Sequence, residues 1–452
     1  MMTLSPPPCT WHTMPAAPMS LDAAGLSLDL VTQLAIKTLH FSGELEGSEL
    51  SRRLSLAWPV VEPALEGLKA QQHVEVVGGS FLGGSTYRYR VTDTGRARAA
   101  LFLKTNAYVG PAPVPLEQYR AYVEAFVSST PHSATPGRLR AAFPHLVLPE
   151  ALLDQIGPAI NAGSSLFIYG EAGNGKTQIA RGIRDVLDGD IAVPHAVEVE
   201  GQIIRVFDPV SHELANASPA AKAALSDPLS GSTSSLDLGA QTDTRWVRCR
   251  RPVVMVGGEL SLESLMLGRS PGGYYKAPPQ MLANGGVLVI DDFGRQRCST
   301  TELLNRWIVP LESRVDYLTL GSGQSFEVPF RVLIVFATNL RPSELVDEAF
   351  LRRIHAKVRV PGPTREEYAH IFELCCAASA VAFDHTYVDH LLDGFYRTHV
   401  VPMRGCHPRD LVSHALLLAE YRGEPRALTP ALLDAACSVY FVREEGDART
   451  QM

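Results

Sequence analysis

An α/β core with a parallel β-sheet is predicted by three apolar runs, each ending in polar residues. The first, Leu166-Phe167-Ile168-Tyr169, leads into Gly170-Glu171-Ala172-Gly173-Asn174-Gly175-Lys176-Thr177 and then into helical spacing at Ile179, Ala180, Ile183, Val186 and Leu187. The second, Val287-Leu288-Val289-Ile290, ends in Asp291-Asp292, and the third, residues 332–336, ends in Ala337-Thr338-Asn339. Runs that are apolar at every position suit strands buried on both faces of a parallel sheet. Such a sheet delivers the polar residues at the strand ends to one carboxyl edge.

The first run carries the most specific chemistry. Strand, glycine-rich turn and helix in that order make the phosphate-binding P-loop, G-x-x-x-x-G-K-[ST]. Its glycines let the backbone fold tightly, so that N–H groups and the helix N-terminus face an anion. Residues 170–178, from Gly170 through Gln178, are therefore the expected nucleotide cradle. Lys176 is expected to neutralise the β- and γ-phosphates, and the Thr177 hydroxyl to ligate Mg²⁺. Asp291 is the expected second Mg²⁺ group, acting through water. Asp292 stands where many ATPases with such a loop carry the glutamate that activates the attacking water, and is expected in that role. Two acids after a strand also serve as a helix cap, and the Thr338-Asn339 pair also reads as a turn signal.

The order of these motifs, followed by Leu351-Arg352-Arg353 and Gly405-Cys406-His407-Pro408-Arg409-Asp410-Leu411, resembles that of AAA+ ATPases over about residues 140–443. The resemblance is closest to the branch of MoxR-like and magnesium-chelatase-like proteins. Ala283-Asn284-Gly285-Gly286 leads directly into the acidic strand, and two alternating segments, 315–320 and 325–328, flank Gly321-Ser322-Gly323 as a β-hairpin would. The resemblance implies an α/β P-loop NTPase core with a C-terminal helical lid, ATP and Mg²⁺ as cofactors, and hydrolysis of the β–γ bond. It further implies Asn339 as the sensor that orients the attacking water, with Thr338 as the alternative. Arg353 would be an arginine finger reaching into a neighbouring subunit, with Arg352 able to exchange roles, and Arg409 would be a second sensor from the lid. A homo-oligomeric ring, expected as a hexamer, follows from the same likeness. The pattern is broken at Asp292, where the family usually carries glutamate, one methylene longer.

About 110 residues separate the P-loop from the acidic strand, which is long for such a core. Residues 218–244 are rich in Ala, Ser, Gly and Thr and poor in aromatics, which predicts a mobile surface loop. Residues 203–207 alternate like a strand, and 252–256 form another apolar run ending at Gly257-Gly258-Glu259-Leu260. Gly272-Gly273-Tyr274-Tyr275-Lys276 reads as a loop with two readings left open: a substrate-pulling loop on a ring channel, or tyrosines that pack locally.

The amino-terminal part is read as a winged helix. Helices are expected over 28–40, 49–57 and 60–70, then strands over 74–77 and 87–91, then a helix after Thr92-Asp93-Thr94-Gly95-Arg96. Residues 21–110 hold nine basic and nine acidic side chains, and the expected recognition helix over 60–70 carries Glu62 and Glu66 against Lys69 alone. Phosphate neutralisation supplies most nonspecific DNA affinity, so this charge balance favours a protein client over DNA as the partner. Only the wing, with Arg88, Arg90, Arg96 and Arg98, is basic.

The expected organisation is a disordered tail over 1–20, the winged-helix domain over 21–105, and a linker with one helix over 106–137. The ATPase core follows over 138–361, and the helical lid over 362–452. In 452 residues with 46% hydrophobic content, no stretch approaches the roughly 20 apolar residues of a membrane span, and the first residues lack the charge pattern of a signal peptide. Seven cysteines without a CxxC pair argue against a disulfide framework or zinc site. The net charge of −7 gives no general attraction to nucleic acid or anionic membranes. A cytoplasmic location is expected.

Overall fold

The computed structural model describes residues 14–79, 83–129, 134–187, 189–215, 242–342 and 352–441. The expected tail therefore lies outside the described residues up to position 13, the expected 218–244 loop up to position 241, and Leu351 with them. The described ends of those two segments meet. Ala16 bridges Thr242, and Asp243 N–H donates to Pro15 O at 2.7 Å.

Five strands form the central sheet: β1 (Ser165–Tyr169), β2 (Val253–Val256), β3 (Val287–Ile290), β4 (Leu333–Thr338) and β5 (Ala356–Arg359), in the order β2-β3-β4-β1-β5. β2 runs parallel to β3, and β5 parallel to β1. Every residue of β3 and β4 is buried, as are the first four of β1, which explains the unbroken apolar runs in the sequence. This is an α/β P-loop NTPase core. The β1 exit turns through Gly170–Gly175 into helix α1 (Lys176–Val186), whose buried face is Ile179, Ala180, Ile183 and Val186.

The chain divides into two compact units. The first comprises Met1–Ser133, Leu187–Ile290 and Arg295–Ile334. At its amino-terminal end, helices Leu28–Ser42, Gly47–Leu54 and Trp58–Ala70 precede strands Val74–Gly79 and Tyr87–Val91 and helix Asp93–Thr105. A short strand that the sequence did not suggest, Glu44–Glu46, joins them, so that Tyr87–Val91 becomes the middle of three. Gly95 is obligatory here, because a Cβ would lie 2.0 Å from His73 O.

In the same unit, strands Asp190–Pro194 and Trp246–Arg250 pair antiparallel, and Val114–Pro115, Ala196–Val199, Gln202–Arg205, Gly268–Arg269 and Tyr275–Lys276 form a mixed sheet. Tyr275 is buried and its hydroxyl accepts from Gly321 N at 2.8 Å, while Tyr274 packs edge-on against Tyr108. The Gly272–Lys276 tyrosines therefore pack locally. The hairpin is present as Val315–Thr319 and Ser325–Pro329. It is anchored by the fully buried Asp316, which accepts from Arg306 at 2.6 and 3.0 Å and from Gln280 at 3.0 Å.

The second unit comprises Ala134–Val186, Asp291–Gly294 and Val335–Met452. Its helical part contains α2 (Arg365–Ala378), a π-helix over His390–Tyr396, α3 (His407–Arg422) and α4 (Pro430–Tyr440). Thr364 and Glu367 form a capping box at the start of α2. Gly423 closes α3 in the left-handed conformation. Tyr368, Phe372, Leu391, Leu411, Ala415 and Leu433 make the core of this bundle. Among the described residues, no helix is long and apolar enough to cross a membrane.

Candidate functional site

The loop and acid groups expected at the nucleotide site lie in the second unit, and all but Gly170 and Glu171 border a cavity of about 500 Å³, within the range of small-ligand sites. It is bordered by Ala172 through Gln178, Asp291, Asp292, Thr338, Asn339 and Arg409, and on another wall by His145 through Pro149, Val360 and Ile371.

The glycine turn has the backbone that its composition predicts. Gly170, Gly173 and Gly175 have φ values of 145°, 85° and 81°, a region open chiefly to glycine. A Cβ on Gly170 would lie 2.3 Å from Val360 O. Lys176 is 7% exposed and donates to Gly170 O and Glu171 O at 2.9 and 2.8 Å. Burial holds its ammonium below the usual lysine range, Asp292 and Asp291 pull the other way, and Arg404 lowers it further.

The acid pair meets this loop directly. Thr177 Oγ1 donates to Asp291 Oδ1 and Oδ2 at 3.1 and 3.0 Å. The segment after β3 is pinned from below: Phe293 N donates to Ala337 O at 2.8 Å, and Phe293 meets both Phe167 and Phe336 edge-on. Asp292 has φ 48°, a conformation that Asp tolerates better than most residues. Asn339 Nδ2 lies 3.5 Å from Asp292 Oδ1.

Thr338, the expected alternative to Asn339, also borders the cavity. Its buried hydroxyl donates to Phe293 O at 2.7 Å and accepts from Leu340 N at 3.1 Å, so it is committed to the fold. Arg409 borders the cavity, is 72% exposed, and donates to Asp410 Oδ1 from Nε and from a terminal nitrogen at 2.8 Å. That bond raises it above the usual arginine range. Tyr440 OH donates to the other Asp410 oxygen at 2.9 Å. Arg352 and Arg353 do not border the cavity. Arg352 is exposed, and the Arg353 carbonyl accepts from Ser165 Oγ at 3.3 Å at the foot of β1.

The residues present fit a nucleoside triphosphate with Mg²⁺. The turn at 170–175 is a cradle that side chains would fill, and Asn174 Nδ2 is a buried donor without an acceptor. Thr177 and Asp291 are hard oxygen ligands of the kind Mg²⁺ takes alongside phosphate and water. Among the described residues, no group of three or more His, Cys, Asp or Glu side chains could hold a metal alone.

Sequence reasoning missed Arg404 and the 145–149 wall. Arg404 Nε stands 4.0 Å from Glu171 Oε2. Arg404 immediately precedes the Gly405–Leu411 motif, but nothing in residue type marks it. The wall is a short apolar stretch without periodicity.

A family model described as a domain of unknown function (DUF8689) matches residues 364–439, the stretch of α2 to α4. No curated protein matches the chain. Similar solved structures include NtrX from Brucella abortus, at 16% identity and TM-score 0.41 over 68% of this chain. They also include the RuvB Holliday junction branch migration motor of Thermotoga maritima, at 11% identity and TM-score 0.37, covering 65% of this chain and 70% of that one. A point mutant of that motor aligns with TM-score 0.39 at 12% identity, over 67% of this chain and 72% of that one. The chain spans 58% of the length of NtrX.

Proposed function

We propose that this chain is an AAA+ ATPase that binds Mg-ATP in the cavity between the phosphate loop and the helical lid and hydrolyses its terminal anhydride bond. The hydrogen bond between Thr177 and Asp291, with Lys176, Asp292 and Asn339 around the same cavity, carries this reading.

Bound Mg²⁺ would supply charge neutralisation on the phosphates, held by Thr177 and Asp291. Lys176 exchanges its two loop carbonyls for β- and γ-phosphate oxygens. The Asp292 carboxylate accepts the proton of the attacking water, and Asn339, beside it, orients that water. Arg409 exchanges Asp410 for the γ-phosphate. The apolar wall of Leu146, Val147, Leu148, Val360 and Ile371 suits the faces of a purine.

Arg353 acts in trans across a homo-oligomeric ring, with Arg352 as its alternative. A finger supplied in this way is worth about 10³ to 10⁵ in rate, so turnover per chain rises with assembly. Hydrolysis is coupled to remodelling of a protein client recruited by an amino-terminal winged-helix module. Charge pairing supports a protein over DNA as its partner: Arg90 is held by Glu75 at 2.7 Å and Glu44 at 3.3 Å, Arg96 by Asp93, and Arg98 lies 4.5 Å over the Phe102 ring.

Calorimetric titration with Mg-ATP, together with sedimentation with and without nucleotide, tests the reading. Wild type is expected to bind and to assemble with nucleotide, and Lys176→Ala to lose both. Equal heats for the two proteins would contradict it. Saturable, salt-sensitive mobility shifts with genomic DNA fragments would replace the client reading by that of a DNA-bound regulator.

A further inference from the structure

The lid touches the phosphate loop through three consecutive residues. Gly405 N–H donates to Asn174 Oδ1 at 3.1 Å. Arg404 Nε faces Glu171 Oε2 at 4.0 Å. The Cys406 thiol fills the space beside Gly173, where a Cβ would lie 2.5 Å from the sulfur. The approach is close enough that a Cβ on Gly405 would stand 3.4 Å from Gly173 O.

We propose that Asn174 and Arg404 are positioning residues that clasp the lid segment 404–406 to the phosphate loop, so that occupancy of the loop and the position of the lid are set together. This rests on the nucleotide-site reading and adds a mechanical link to it.

The link has an anchor at each end. On the loop side, Glu171 is shared: its carbonyl accepts from Lys176 at 2.8 Å while its carboxylate faces Arg404. A phosphate that draws Lys176 away from that carbonyl acts on the residue the lid holds. Asn174 contributes a second handle, and its Nδ2 is buried without a partner, so a shifted lid can gain a hydrogen bond there.

On the lid side, the first turn of α3 is tied into the bundle by a buried chain. His407 Nδ1 meets Tyr396 OH at 2.8 Å, and Tyr396 OH meets Tyr368 OH at 3.0 Å, joining α3, the π-helix and α2. Burial lowers His407 to about 4, which keeps the ring neutral and Nδ1 able to accept from Tyr396. A pull on Gly405 therefore moves the bundle as a body. Arg409, two residues beyond His407, moves with it.

The test combines Mg-ATP calorimetry, steady-state kinetics and amide hydrogen exchange of a peptide covering 403–407 in the full chain. Asn174→Val removes the acceptor, and Arg404→Ala removes the charge at a partly exposed position. Asn174→Val is expected to weaken Mg-ATP between about two- and tenfold, the worth of one hydrogen bond, and Arg404→Ala by up to about fivefold, the worth of one exposed ion pair; each is expected to raise KM more than it lowers kcat and to speed exchange at 403–407. Asn174→Thr, which keeps an acceptor, and Arg404→Lys, which keeps the charge, should each recover at least half of the lost affinity on a logarithmic scale. Unchanged affinity and exchange in both Asn174→Val and Arg404→Ala overturns the clasp, and so does weakened affinity with unchanged exchange. Failure of wild type itself to bind Mg-ATP instead removes the nucleotide reading on which the clasp rests.

Discussion

Thr177 and Asp291, 114 positions apart, are joined by a hydroxyl that donates to both carboxylate oxygens at 3.0 and 3.1 Å. The contact joins the end of the phosphate loop to the residue that follows β3. In the proposed site both groups turn toward one Mg²⁺. Thr177→Val should remove most of the advantage that Mg²⁺ gives to ATP binding, by at least about 1 kcal/mol, while leaving metal-free ATP binding nearly unchanged. Calorimetry with and without Mg²⁺ checks this, and a wild-type Mg²⁺ dependence in the variant would contradict it.

Asp292 combines a left-handed backbone with a position at the cavity. Asn tolerates that backbone as Asp does, so Asp292→Asn should keep its melting temperature and its ATP affinity while phosphate release falls by about 10² to 10⁴. Asp292→Val places a β-branched side chain at positive φ and should cost about 1–3 kcal/mol of stability, read by denaturant titration. An Asn variant that hydrolyses at the wild-type rate would remove Asp292 from the role of general base.

The approach to β3 is equally constrained. A Cβ on Gly286 would lie 2.2 Å from Pro252 O, and one on Gly285 would lie 2.2 Å from Ile191. Asn284 donates to Tyr119 OH and Pro329 O and accepts from Arg331 N. Gly286→Ala should therefore destabilise by about 1–3 kcal/mol through overpacking. Chemical denaturation measures this, and an unchanged midpoint would show that the strand entry can give.

Buried histidines contribute to the acid arm of stability. Burial lowers both His195 and His407 to about 4, so between pH 4 and about 6.5 the unfolded chain binds protons that the folded chain does not. Stability should then rise with pH through that window and level off above it. His195→Gln should flatten the acid arm of a melting-temperature profile, and an unaltered arm would assign it to other groups.

The sequence made legible what contiguous chain encodes. The glycine turn with Lys176, the apolar runs of β1, β3 and β4, and the apolar spacing of the C-terminal helices each carry their own pattern. The Asp190–Pro194 and Trp246–Arg250 pair was not visible, because its burial depends on strands brought together from about 55 residues apart. Arg245 misleads in the same way. It looks like a surface charge, yet it is 1% exposed, paired with Asp243, and donates to the carbonyls of Ala24 and Pro113. Only tertiary partners make such a burial affordable. The Ala283–Gly286 stretch was read through resemblance alone, and its physical reason, close backbone approach, needs coordinates. Arg404 beside Glu171 is a contact between residues far apart in sequence, and neither announces it.

The central claim is that Lys176, Asp291 and Asp292 form one hydrolytic site, and steady-state phosphate release measured over protein concentrations that span assembly tests it most directly. Wild type should release phosphate at a rate per chain that rises with concentration, Lys176→Ala should be inactive for want of bound nucleotide, and Asp292→Asn should bind ATP while releasing phosphate about 10² to 10⁴ times more slowly. Equal, slow release from all three proteins at every concentration would contradict the account.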